Sequence, residues 1–189
     1  IQWNRLDFQL ISWLIILTKN WSSDMVKSLL LIINPVAGKR NATDYQPKIM
    51  QKFQEAGYEV CVRYTEIYRN ADYITKEYAE GKDVIVCCGG DGTLKETVCG
   101  MMELKLTAKL GYVPCGTTND FAHSLHIPTD FDDAVETILD GHTKAIDIGD
   151  FCGKEQFIYV SCFGNLCDVS YKAKQSLKTK IGRGACCWA

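Results

Sequence analysis

The sequence predicts an α/β fold, a three-layer arrangement in which helices cover both faces of a parallel sheet. From Leu29 onward, short β-rich runs alternate with segments of helical period, the pattern of strand-helix-strand units. The first of these runs is continuously apolar, as a strand covered on both faces must be. After three of the runs the connection is polar and contains glycine, so one edge of the predicted sheet is unusual.

Residues 29–33 are the first predicted strand. A helix over 45–56 follows, because Ile49, Phe53 and Ala56 recur at helical spacing and Gly57 supplies a stop. Residues 58–65 read as the second strand. Asn70 caps a helix with Ala71, Ile74 and Tyr78 on one face, and Gly81 ends it. Residues 84–88 give the third strand, Gly89, Gly90 and Gly92 a turn, residues 93–102 a helix, and residues 110–114 the fourth strand. Asp130 caps the clearest amphipathic helix, with Phe131, Ala134, Val135, Ile138 and Leu139 in one stripe and Gly141 closing it. The texture then changes. Residues 143–148 and 156–162 read as consecutive strands across a short turn, so antiparallel pairing replaces helical crossover. The predicted division is therefore an N-terminal extension (1–24), an α/β domain (25–146) and the beginning of a second domain (147–189).

The arithmetic agrees. A chain of 189 residues exceeds the ~100 to 150 of a common single domain, which suggests one domain and a remainder. With 47% hydrophobic and 23% charged residues it is neither disordered, collagen-like nor a bundle of membrane spans. A net charge of −2 lacks the basic excess of a nucleic-acid surface, so no nucleic-acid partner is expected. The ten cysteines form no Cys-x-x-Cys pair and have no zinc-ligand spacing with His123, His126 or His142. They read as small buried hydrophobes of a reducing compartment. The apolar stretch over 8–17 contains Gln9 and Ser12, is shorter than the ~20 residues of a membrane span, and lacks a small-residue cleavage site. Met25 opens directly into a strand and reads as the natural start; whether residues 1–24 belong to the natural protein stays open. The apolar ending over 184–189 reads as a truncation.

In a doubly wound sheet, ligands bind beyond the carboxyl ends of the strands. The loops there are Asn34-Pro35-Val36-Ala37-Gly38-Lys39, Gly89-Gly90-Asp91-Gly92-Thr93 and Gly116-Thr117-Thr118-Asn119-Asp120-Phe121-Ala122. Glycine lets backbone N–H groups approach an anion, and a helix starting near Thr93 adds its positive end, so phosphate is the natural guest. Lys39 and Lys95 are candidate phosphate contacts. Neither common phosphate motif fits: Gly38-Lys39 lacks the surroundings of a P-loop, and Lys95 stands where the last glycine of G-x-G-x-x-G would fall. Any one of these loops read alone is equally a tight turn without a ligand. Asp91, Asp120 and Asp147, brought to the strand ends, could hold Mg²⁺ directly or through water. Taken singly, Asp120 also reads as a helix N-terminal residue and Asp147 as a turn residue. His123 and His126 read as surface or packing residues.

The order Asn-Pro-x-x-Gly-Lys, Gly-Gly-Asp-Gly-Thr and Gly-Thr-x-Asn-Asp-Phe-Ala resembles the diacylglycerol kinase catalytic domain of bacterial soluble lipid kinases. Gly-Gly-Asp-Gly-Thr is shared with NAD kinases, but the Asn-Glu dipeptide of that type is absent. Sphingosine kinases are similar too, yet their third motif usually carries Ser-Gly-Asn. The resemblance implies a Rossmann-like fold and ATP contacts at Asn34, Pro35, Gly38 and Lys39, at Thr65, at Gly89, Gly90, Asp91, Gly92, Thr93, Lys95 and Glu96, and at Gly116, Thr117 and Asn119. It implies a Mg²⁺-organising network at Asp91, Asp120 and Asp147. Residues 159–171 are similar to the opening of the family's β-sandwich domain, whose later part is expected to supply the catalytic base and a structural Mg²⁺ loop. Neither of those motifs occurs before Ala189. The implied reaction moves the γ-phosphoryl of ATP to the hydroxyl of diacylglycerol, giving phosphatidic acid. The enzyme would be cytoplasmic, peripheral to the membrane and without a transmembrane span, and a homodimer is compatible with this. The alternatives are an NAD kinase-like phosphotransferase and a nucleotide-binding fragment without catalytic power.

Overall fold

The computed structural model describes residues 10–11, 26–38, 42–151 and 155–159. Four parallel strands, β2 (Lys27–Ile33), β3 (Tyr58–Tyr64), β4 (Val84–Gly89) and β5 (Lys109–Pro114), form a sheet in the order β3-β2-β4-β5. Leu30 and Ile32 of β2 and Ile85 of β4 pack on one face against Ala71 and Ile74 of α2 (Ala71–Tyr78). Leu29, Leu31 and Ile33 pack on the other against α1 (Ala42–Glu55) and α5 (Phe131–Leu139). Between α2 and α5 in sequence lie α3 (Asp91–Glu103) and α4 (Asp120–Leu125). Because β2 is buried from both sides, its five core residues are all apolar and fully enclosed. The α/β class is confirmed.

The element order follows the sequence closely, with informative shifts. Asn70 caps α2 by accepting from the Tyr73 N–H at 3.0 Å, and Asp130 caps α5 by accepting from Asp132 N–H at 2.9 Å, both as expected. Helix α1 begins at Ala42 rather than Tyr45 and carries Pro47 inside it. Helix α3 begins at Asp91 rather than Thr93, with Gly90 as its N-cap. The third loop, expected to run to Ala122, gives way at Asp120 to α4, so Asp120 is the helix N-terminal residue that it reads as when taken singly.

The region after α5 differs more. No strand forms over 143–147, which is mostly exposed; β6 (Ile148–Phe151) starts where the predicted strand ends. It pairs antiparallel with β7 (Glu155–Phe157) and with β1 (Leu10–Ile11), a strand that the sequence did not announce. The expected antiparallel pairing is present, but the strand expected over 156–162 ends at Phe157. Gly149 lies beneath the Phe157 ring, where a Cβ would come within 2.2 Å of a ring carbon. Beyond Tyr159, the segment expected to open a β-sandwich lies outside the described residues.

Candidate functional site

The chain runs from β2 outward to β3 and then back across to β4 on the opposite side of β2. That reversal opens a crevice at the carboxyl ends of β2 and β4, where doubly wound sheets bind ligands. Two of the expected loops leave the sheet there, and the third leaves neighbouring β5.

All three loops touch, and the contacts are made at glycines. Gly38 has φ +62°, and a Cβ on it would lie 2.1 Å from the Cys115 carbonyl oxygen. A Cβ on Gly116 would lie 2.6 Å from the Gly90 Cα and 2.7 Å from Asn119 Oδ1. Backbones therefore approach at distances that no side chain permits. Polar contacts close the same triangle. Asn34 Nδ2 donates to Thr93 Oγ1 at 2.9 Å, while Asn34 Oδ1 accepts from the Val36 N–H at 3.1 Å. The Cys115 N–H donates to the Gly89 carbonyl at 2.8 Å.

Asp91 joins the second loop to the third. One carboxylate oxygen accepts from the Asp120 N–H at 3.0 Å and the other from the Phe121 N–H at 3.1 Å. These are the first two amides of α4, whose own N-cap, Asn119, makes no side-chain cap bond. Asn119 is left-handed at φ 51° and buried; its Nδ2 donates to the Gly116 carbonyl at 3.1 Å, and its Oδ1 faces the Tyr112 hydroxyl at 3.5 Å. Burial and the nearby Asp91 carboxylate push the Tyr112 hydroxyl pKa up, so it stays a neutral phenol. Tyr112 and Cys115 were not read as site residues, because a strand residue and a loop cysteine carry no local sign of such contacts.

Gly92 behaves differently from the other glycines. It sits exposed in the first turn of α3, and a Cβ there would meet nothing within 4 Å. The fold does not require glycine at this position, and alanine is the better helix former. An open backbone at a helix N-terminus suits a bound anion.

The remaining expected residues are distributed as follows. Pro35 lies in the first loop, and Lys39 lies outside the described residues. Thr65 closes β3, donating its N–H to the Ile33 carbonyl at 2.9 Å. Glu96 accepts from the Ala71 N–H at 3.1 Å and so helps cap α2; burial raises its pKa. Lys95 is half-buried on α3 and Thr117 is exposed in the third loop. Asp147 is exposed just before β6.

The three aspartates are not drawn into a metal cage. Among the described residues, no group of three His, Cys, Asp or Glu side chains is placed to hold an ion. The donor set therefore does not fit a resident Mg²⁺ held by protein alone. Mg²⁺ characteristically retains waters and is held by one or two carboxylates together with substrate phosphates. Burial pushes the Cys87 thiol up to about 12, and contact with Cys115 at 3.1 Å together with burial raises that of Cys88, so these two are poor nucleophiles.

Residues 28–151 match the diacylglycerol kinase catalytic domain family. The chain is 38% identical over 159 residues to a protein named diacylglycerol kinase from Staphylococcus epidermidis, covering 84% of this chain and 50% of that one. It is 36% identical over 159 residues to the diacylglycerol kinase of Staphylococcus carnosus, covering 84% and 52%. The crystal structure of a diacylglycerol kinase from Bacillus anthracis superposes with TM-score 0.59 at 30% identity, over 67% of this chain and 44% of that one. The chain spans about half the length of the curated relatives it matches.

Proposed function

The chain belongs to the diacylglycerol kinase catalytic domain family, and on that premise we propose that the whole protein transfers the γ-phosphoryl group of ATP to the hydroxyl of a diacylglycerol-type lipid, giving phosphatidic acid. This chain supplies the nucleotide half, in a domain over 25–146, and the opening of a second domain over 147–189. The observation that carries the proposal is the junction of three loops at the sheet's switch point, with Gly90 and Gly116 in backbone contact.

Phosphoryl transfer asks the protein for positioning and charge stabilisation more than for covalent chemistry. The α3 N-terminus, with the open backbone at Gly92, is proposed to receive the triphosphate. Asn34 holds Thr93 and thereby fixes the first loop on the start of that helix. Asp91 fixes α4 and the third loop against it. Asp91 is thus a positioning residue in the first instance, with lone pairs left on both oxygens for water or ligand. Asp120 and Asp147 remain proposed contributors from the third loop and from the entry to β6. Mg²⁺, arriving with the triphosphate, would supply charge neutralisation.

No helix among the described residues is long and apolar enough to cross a membrane. Peripheral association from the cytoplasmic side belongs to the proposal, and assembly as a homodimer is compatible with it. The test is an assay of the protein extended to the length of its relatives, with ATP, Mg²⁺ and mixed diacylglycerol-detergent micelles. Radiolabelled phosphatidic acid is expected. Phosphorylation of NAD in place of lipid would overturn the assignment.

A further inference from the structure

Strand β3 stands at one end of the sheet order, and among the described residues its only strand partner is β2. Its outer edge is open. Backbone N–H and C=O groups along a strand of a parallel sheet point alternately to its two sides. The Thr65 N–H reaches the Ile33 carbonyl of β2, so Arg63, Cys61 and Glu59, in step with Thr65, turn their backbone groups inward. Tyr58, Val60, Val62 and Tyr64 turn theirs to the open edge. There the Val62 carbonyl accepts from the guanidinium of the neighbouring Arg63 at 2.7 Å. Neither a proline nor a break in register blunts this edge, and Val60, Cys61 and Val62 at its centre are only half-buried. An uninterrupted edge of this kind is a template for pairing with another strand.

The order of residues along the strand identifies that other strand. Read outward from Cys61, Val60 mirrors Val62, Glu59 mirrors Arg63 and Tyr58 mirrors Tyr64. Two such strands laid antiparallel about a twofold axis at Cys61 are complementary along their whole length, with carboxylate facing guanidinium on both sides of the axis. We infer that β3 pairs in this way with β3 of a second copy of this chain, joining the two sheets edge to edge. The backbone phase agrees with that register. Cys61 and the Glu59–Arg63 pairs fall at non-hydrogen-bonded positions, where facing Cα atoms are ~4.5 Å apart and side chains stand closest. The outward-turned groups of Val60, Val62, Tyr58 and Tyr64 supply the ladder. Among the described residues neither Glu59 nor Arg63 is paired with an opposite charge, and Arg63 lies 4.1 Å from the Tyr78 ring centroid. The contact is isologous and closes on itself, so it stops at two copies. The inference goes beyond the lipid-kinase reading and does not rest on it: the three glycine loops leave other strands, and each copy keeps its own loop junction.

Sedimentation equilibrium over a range of concentrations tests the pairing. The wild-type chain is expected to populate a dimer. Arg63→Glu sets carboxylate against carboxylate on both sides of the axis and should weaken the dimer at least about tenfold. Glu59→Arg/Arg63→Glu exchanges the charges but keeps the mirror relation, so it should recover wild-type affinity, which a variant that merely damaged the strand could not do. A short bis-maleimide should link the wild-type copies through Cys61 to Cys61, as read by peptide mass spectrometry. A wild-type chain that stays monomeric would overturn the inference, as would a dimer indifferent to Arg63→Glu or a loss that the exchanged pair fails to recover. ATP titration of the same samples keeps the two proposals apart. Nucleotide binding by a monomeric chain removes the interface alone, whereas a dimer that binds no nucleotide removes the kinase reading alone.

Discussion

Glycines stand at both edges of the parallel sheet, for opposite reasons. At the amino-terminal edge, Gly57 and Gly81 precede β3 and β4 with φ +84° and +72°, and a Cβ on either would meet nothing within 4 Å. Only the left-handed backbone needs glycine there, to end a helix and turn the chain. At the carboxyl-terminal edge, Gly90 and Gly116 lie outside the left-handed region, but backbone is pressed on backbone, leaving no room for a Cβ on Gly116 and only a tight 3.2 Å for one on Gly90; Gly38 combines both constraints. One edge uses glycine to turn, the other to bring three loops to one point. The second kind marks the site.

Substitutions can break this contrast, beginning with the largest effect. Gly38→Ala must both strain a left-handed residue and displace the Cys115 carbonyl, at a cost of about 3 kcal/mol. Gly116→Ala keeps its backbone region and meets only the overlap, about 2 kcal/mol. Urea unfolding of both variants would check the order. Asp91→Asn loses a charge-assisted bond to an α4 amide and turns an NH₂ group toward the helix's first N–H groups. The expected cost is about 2 kcal/mol, with loss of lipid phosphorylation in the extended protein. Wild-type turnover by that variant would remove Asp91 from the site.

Glu96 gives a smaller, pH-dependent effect. Its folded pKa lies above the ordinary 4.5 because of burial, so the native state holds the proton more tightly than the unfolded chain. Stability from this group therefore falls as pH rises from the ordinary value through the folded one, and stays lower above it. Glu96→Gln retains an acceptor for the Ala71 N–H and abolishes the dependence. Thermal melts at about pH 4 and about pH 7 should show the variant gaining on wild type toward neutrality. The smallest effect is expected at the opposite edge: Gly57→Asn should cost less than about 1 kcal/mol, because asparagine tolerates the left-handed region and space is open.

The same contrast explains what was legible in the sequence. Strands, α2 and α5 were readable because apolar spacing and local caps at Asn70 and Asp130 declare them within a few residues. The three loops were readable because glycine and polar residues are concentrated there. Helix α4 was legible only in the alternative reading of Asp120 as a helix N-terminal residue: it has six residues, too few for a period, and its first amides are satisfied by Asp91, some thirty positions earlier in the chain. The start of α3 was read late because Gly92 looks like part of a turn, although it is a helical residue. The amide contacts of Asp91 were not legible, since a carboxylate's long-range partners leave no local mark. Strand β6 was misplaced because its partners β1 and β7 set its register from outside the segment.

The position that tests the account most directly is Gly92, where the needs of the fold and of a ligand part company. Calorimetric titration of ATP into the wild-type chain and Gly92→Ala, with melts of both, is decisive. The added methyl meets open space in a helical turn, so the variant should be as stable as wild type or up to about 1 kcal/mol more stable. If the triphosphate lies on the α3 N-terminus, ATP affinity should fall at least about tenfold, a loss of about 1.4 kcal/mol. Equal affinity in a variant of undiminished stability would contradict the placement of the nucleotide.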